Sequence, residues 1–199
     1  KIPDVTMQSI HSGFFYQGHD HTSPNGRHHD HSPQRKIRLS AFWLDTFEVT
    51  VAQYAHCIKA KSCSEPPDFA SQQAMPYAPV VSVSWGDARR FCVWNQKRLP
   101  TEAEWEKAAR GGIHPEKIAS KTPPLPSFDP KQPYPWGLSA PDCSRARISG
   151  CEPPSPLMVA KNFRISGRSP YGLYDMIGNV REWVEDCYTM PHTADAPRD

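Results

Sequence analysis

Apolar and polar positions alternate in two stretches near the start of the chain. "MQSIHSGFFYQG" alternates weakly and predicts a strand near residues 10–16. "IRLSAFWLD" (37–45) alternates more strictly, with Ile37, Leu39, Ala41 and Trp43 on one face of a predicted strand, and "TFEV" is expected to continue the sheet after a turn or bulge. From Thr50 the period changes to that of a helix. Thr50 and Gln53 form a capping box, Tyr54, Ala55 and Ile58 give the apolar stripe, and the helix is expected to end near Lys61. Ser84 caps a second predicted helix with Trp85, Ala88, Phe91, Cys92 and Trp94 turned inward. Thr101 caps a third, "EAEWEKAAR", where Glu104 completes a capping box, Glu102 fills the first turn, Lys107 and Arg110 fill the last, and Gly111 and Gly112 stop it. "SEPPDF" and "YAPV" read as extended connectors, and residues 113–168 as a Pro-rich irregular region. The order predicts one α+β domain over residues 1–199, with few helices, a small twisted antiparallel sheet and long irregular loops.

Composition strengthens the loop-rich reading. There are 22 prolines, hydrophobic residues make up 38% and mean hydropathy is −0.65, so irregular structure is expected throughout. Six tryptophans and eight phenylalanines still supply a core; Trp105 and Trp183 are read as core anchors. The net charge of +2 comes from intermixed signs, which excludes a nucleic-acid footprint. No apolar run reaches the length of a membrane span. The chain opens on Lys1, which suggests a processed or partial polypeptide.

The six cysteines change the picture more. Cys57 and Cys63 bracket "CIKAKSC", and Cys143 and Cys151 bracket "CSRARISGC". Pairs this local are expected to form the disulfides Cys57–Cys63 and Cys143–Cys151 where a turn brings their Cα atoms within about 7 Å. Neither spacing is CxxC, so a zinc ribbon or a thioredoxin-type site is a poor fit. The expected setting is oxidising: secreted, periplasmic or cell-surface. Cys92 and Cys187 remain, free to pair with each other or outside this chain.

The His-rich loop at 17–36 holds His19, His21, His28, His29 and His31 with Asp20 and Asp30. These side chains offer a possible transition-metal site, against the plainer reading of a solvated loop. Glu102, Glu104 and Glu106 invite an acid–base role, but capping, dipole complement and an exposed helix face account for them.

"RLPTEAEWEKAARGG" (98–112), "YPWG" (134–137) and "SPYGLYDMIGNVREWVED" (169–186), preceded by "LDTFEVTVAQYAHCIKA" and "APVVSVSWGDARRFCVWNQKRLP", resemble in order and spacing the formylglycine-generating enzyme, or sulfatase-modifying factor, family. The resemblance runs from about residue 7 to 188. It implies a variant of the C-type lectin fold. It also implies a calcium loop in which Asp175 and Glu182 supply side chains and Gly178 and Val180 supply carbonyls, the mixed hard-oxygen set that calcium prefers. A second calcium position of the family falls near Arg147 here, and a cation there predicts its loss. The family's best-known activity is copper(I)-dependent oxidation of a sulfatase cysteine to formylglycine. Its reactive thiols follow a "GGSW"-like motif, and its last strand is "GFR"-like; neither motif occurs in this sequence. No catalytic residue is therefore assigned, and copper is expected only with the missing segment. In relatives the counterparts of Cys92 and Cys187 can pair with cysteines near that segment, so the resemblance implies that both are unpaired or paired outside this chain.

The expected function is a secreted, non-catalytic, calcium-stabilised binding or assembly module. Its expected partner is a protein or a second chain carrying the C-terminal part of the domain, without nucleic acid or membrane span. The alternatives are a copper-dependent formylglycine-generating oxidase whose cysteines lie on a missing C-terminal segment, and a structural subunit of an extracellular assembly.

Overall fold

A computed structural model describes residues 6–19, 33–113, 129, 131–151 and 165–187. The fold is α+β, with few helices and long loops. Among the described residues, four strands form two antiparallel ribbons rather than one sheet: β1 (Met7–Ile10) pairs with β4 (Phe42–Asp45), and β2 (Gly13–Gln17) pairs with β3 (Arg35–Leu39). The register runs from Met7 opposite Asp45 to Ile10 opposite Phe42, and from Gly13 opposite Leu39 to Gln17 opposite Arg35.

Both predicted strands are thus broken in two. The break at Ser40–Ala41 matters, because side chains alternate with a period of two and an irregular pair of residues resets which face is buried. Trp43, expected on the inner face with Ile37 and Leu39, is 63% exposed; Phe42 and Leu44 pack on the core instead. "TFEV" is not a strand. Only Thr50 forms an isolated bridge there, to Pro79.

The helices follow their capping signals closely. Helices α1 (Val51–Lys59) and α4 (Glu102–Arg110) each carry the full box, Thr50 with Gln53 and Thr101 with Glu104. Ser84 accepts from Asp87 N to start α3 (Trp85–Trp94). A one-turn helix, α2 (Phe69–Gln72), interrupts the connector expected to be extended. A short 3-10 turn covers Ile165–Gly167. Both local disulfides are formed, with Cα separations of 5.3 Å for Cys57–Cys63 and 5.5 Å for Cys143–Cys151. Cys92 and Cys187 are both free thiols and do not bond to each other.

Two hydrophobic clusters form. The first joins Ile10, Ala108, Ala109, Tyr171, Leu173 and Met176, with Phe42, Leu44 and Trp105 against it. The second joins Val51, Tyr54, the Cys57–Cys63 bridge, Phe69 and Phe91. Burial of each large side chain is worth about 1.5–3 kcal/mol, so both are needed to hold a chain this rich in loops.

Helix α4 is more than an exposed helix with capped ends. Glu104 is buried, receives Arg98 through two hydrogen bonds of 2.6 Å, and accepts from Thr101 N at 2.9 Å. Burial alone would raise its pKa, but these bonds outweigh it and hold the group below the ordinary value. Glu106 pairs with Arg110 and accepts from Gly18 N at 2.8 Å, tying α4 to the end of β2. Lys107 is buried beneath the β1–β2 turn, donating to His11 O at 2.7 Å and Gly13 O at 3.2 Å. Burial, with Arg38 nearby, pulls its pKa down to about 8. A folded pKa below the unfolded value of 10.5 means that unfolding takes up protons between those pH values, so stability rises with pH there. Relative to Lys107→Met, the native protein should gain stability between pH 8 and 10.5 in chemical denaturation. A flat difference would place the ammonium in contact with water.

Candidate functional site

The acidic site is assembled by two segments that the sequence keeps far apart. Phe47 and Tyr174 stack with centroids 5.1 Å apart and planes inclined by 13°. Tyr174 N donates to Thr46 O at 3.1 Å. This pairing brings the neighbours Glu48 and Asp175 to the same place. The loop then reverses through three left-handed residues, Asp175 (φ 54°), Gly178 (φ 80°) and Asn179 (φ 56°). Asp and Asn tolerate that region better than other side-chain-bearing residues. At Gly178 only glycine fits, because a Cβ would lie 2.1 Å from Arg147 O.

Asn179 links the pieces. Its backbone N–H donates to Arg147 O at 2.9 Å, and its Nδ2 donates to Glu48 Oε1 at 2.9 Å. After the turn, the chain is pinned between two helix starts. Trp183 Nε1 donates to Val83 O at 3.0 Å, and Trp85 Nε1 donates to Val184 O at 2.8 Å. Asp186 accepts from Glu102 N at 2.5 Å, placing a carboxylate at the positive end of α4. Trp183, 49% exposed, is therefore a clamp rather than a core anchor, whereas Trp105 does pack on the core.

Of the four residues expected at the calcium loop, Asp175 and Glu182 lie within electrostatic reach of each other, and Gly178 and Val180 occupy the bend between them. Glu48 is a fifth member that sequence reading missed. The signal was one carboxylate between the apolar Phe47 and Val49 in "TFEVT". Burial, then Glu182 and Asp175, push the Glu48 pKa up to about 8, opposed by the Asn179 bond. Burial and Asp175 likewise push Glu182 up, to about 7. Glu182 is surrounded by protein but opens onto a cavity, which leaves its residue surface exposed. That opening softens the desolvation of Glu182, and Glu48 is the more strongly perturbed of the two. The Trp105 indole N–H lies beside Glu182 and favours its carboxylate, without reaching a normal hydrogen bond to any group.

Neither Glu48 nor Glu182 has a basic partner among the described residues. Two mutually repelling carboxylates, Glu48 and Glu182, with no such partner among the described residues suit a hard dication in chemical type. No three His, Cys, Asp or Glu side chains among the described residues form a metal-holding group by themselves. A cation here would thus also draw on backbone carbonyls. Residues 20–32 of the His-rich loop, with His21, His28, His29 and His31, lie outside the described residues; His19 lies within them. Arg147, whose side chain is expected to abolish a second calcium position, contributes its carbonyl to the acidic turn.

The cavity beside this site has a volume of about 390 Å³ and separates the two hydrophobic clusters. Phe42, Leu44 and Met176 face it from one side, and Val49, Tyr54 and Phe91 from the other. Cys92 lies in its wall. Burial, then Asp45, pushes that thiol up to about 11, so it stays protonated at neutral pH.

Known proteins share this architecture. PvdO from Pseudomonas aeruginosa superposes with a TM-score of 0.59 at 24% identity, over 97% of this chain and 74% of that one. CarF gives 0.61 at 21% identity, over 96% of this chain and 83% of that one. By sequence, the formylglycine-generating enzyme of Bos taurus is 28% identical over 97% of this chain and 61% of its own length. The inactive C-alpha-formylglycine-generating enzyme 2 of Bos taurus is 29% identical over 92% of this chain and 71% of its own. The formylglycine-generating enzyme of Thermomonospora curvata is 35% identical over 61% of this chain and 38% of its own. This chain thus spans about three fifths of the bovine enzyme, and it resembles an active and an inactive relative about equally. The sulfatase-modifying factor enzyme 1-like domain profile matches residues 3–196, and the chain belongs to that formylglycine-generating-enzyme-like family.

Proposed function

We propose that residues 1–199 act as a calcium-stabilised scaffold of the formylglycine-generating-enzyme type, serving binding or assembly in an oxidising compartment without a catalytic thiol pair of their own. The thiol inventory carries this reading. Four of the six cysteines are closed in two disulfides, Cys92 is held protonated in a cavity wall, and Cys187 follows the clamped 183–186 segment. Copper(I) is gripped by soft thiolates, and two disulfides together with one protonated thiol are poor material for such a site. Asp175 and Glu182, with Glu48 beside them, would hold calcium together with the Gly178 and Val180 carbonyls. The ion would neutralise their mutual repulsion and fix the turn. The disulfides support an oxidising location, and no helix among the described residues is long and apolar enough to cross a membrane.

The apolar cavity supports a protein partner. A volume of about 390 Å³ between two clusters has the size and lining of a recognition site, and an apolar segment from a chain carrying the C-terminal part of the domain would join the clusters into one core. A second reading, a copper-dependent oxidase completed by that segment, is favoured by the similarity to the bovine enzyme over only part of its length. Copper(I) loading followed by incubation with a sulfatase-derived cysteine peptide separates them when residues 1–199 are assayed together with the C-terminal part of the domain. The scaffold reading predicts no formylglycine product above the protein-free control in that assay, whereas product that requires the added segment would refute it in favour of the oxidase.

A further inference from the structure

The Cys143–Cys151 loop touches the acidic turn through backbone atoms. Its Arg145 carbonyl sits where a Cβ on Gly167 would be 1.8 Å away, and its Arg147 carbonyl sits where a Cβ on Gly178 would be 2.1 Å away. Arg147 and Gly178 form a parallel bridge, and Ser166 Oγ donates to Ser144 O at 2.7 Å. The contacts continue beyond the loop: the Arg147 carbonyl holds the Asn179 N–H, and the Asn179 side chain holds Glu48. The loop is short, with a sequence separation of 8 between its cysteines, and Ala146 at its centre is buried. Opening the bridge would remove the covalent closure of residues 143–151 and let the 144–147 carbonyls leave both glycine seats.

We propose that the Cys143–Cys151 disulfide is a positioning element of the acidic site, holding the Arg147 carbonyl as the template for the Gly178–Asn179 turn, so that the site's geometry and its calcium affinity require that bridge. The two disulfides differ in access in the sense this needs. Cys143 is exposed, whereas Cys57 and Cys63 are buried within the second cluster. A dithiol added outside should reach the Cys143–Cys151 bridge first. It would transfer two electrons and two protons, leaving two thiols on the protein and a cyclic disulfide on the reductant.

The test compares the double variant Cys143→Ser/Cys151→Ser with Cys57→Ser/Cys63→Ser. Hydrogen exchange in chelator should rise at least tenfold at residues 178–182 in the first variant, with α1 unchanged, and the second variant should loosen the end of α1 alone. Calcium Kd should weaken at least tenfold in the first variant and stay within threefold in the second. The affinity measurement rests on the calcium reading, but the exchange measurement does not. A native protein that binds no calcium defeats the calcium reading and leaves the positioning role to the exchange result. Unchanged exchange at 178–182 overturns the proposal, as does unchanged affinity in a protein that binds calcium. If the first variant does not fold, graded dithiol reduction of the folded native protein replaces it, and exchange at 178–182 should then rise in step with the first two thiols released. Release of those thiols without increased exchange there refutes the proposal.

Discussion

Gly178→Ala is expected to destabilise the protein by about 3–5 kcal/mol, lowering the melting temperature by roughly 10 °C. Two effects add. The residue sits at φ 80°, where an alanine is strained. The new Cβ would also meet the Arg147 carbonyl oxygen at 2.1 Å and its carbon at 2.8 Å, both backbone atoms. Relief requires the turn and the disulfide loop to part, which loses the 2.9 Å bond from Asn179 N to Arg147 O. Gly172→Ala is the control. Gly172 has a similar φ of 86°, but its nearest neighbours are Gln8 side-chain atoms at 3.8–3.9 Å, so only the strain term of about 1–2 kcal/mol should appear. Equal losses in the two variants would mean that the close approach of Arg147 to Gly178 does not matter.

Calcium removal should produce the second large effect, and pH should reveal its cause. At a free calcium concentration a hundredfold above Kd, binding to the folded state alone adds about 2.7 kcal/mol, so chelation should lower the melting temperature by roughly 5–10 °C. In chelator, Glu48 and Glu182 have folded pKa values raised to about 8 and about 7, against 4.5 for the free group. The folded state then binds more protons than the unfolded one between pH 4.5 and 8, so stability should fall as pH rises through that window. Calcium should flatten or reverse the fall, because it binds the ionised carboxylates and displaces their protons. Glu48→Gln makes the sign distinctive: it should stabilise the chelated protein at pH 8, by removing a repelling charge, while weakening calcium binding. A variant that destabilises the chelated protein at pH 8 would show that Glu48 is compensated by a cation.

Local signals in the sequence were dependable where one residue type performs a local task. Thr50, Ser84 and Thr101 cap the helices they announce, and the short cysteine spacings give the pairs they suggest. Strand faces were less legible, because the irregular pair Ser40–Ala41 shifts the alternation without changing composition and turns Trp43 outward. The site was half legible. The turn from Asp175 to Glu182 is continuous in sequence and carries its own left-handed glycine and asparagine. Glu48 arrives from more than a hundred residues away through the Phe47–Tyr174 stack, and the Arg147 carbonyl arrives through a backbone bridge that no side chain advertises. Such long-range contacts belong to tertiary packing, which local pattern does not encode.

Calorimetric titration of the oxidised protein with calcium tests the account most directly. The expected result is one calcium bound per chain, with protons released above pH 6, and loss of that binding in Asp175→Asn/Glu182→Gln. Absence of binding, or binding that survives the double substitution, would contradict it.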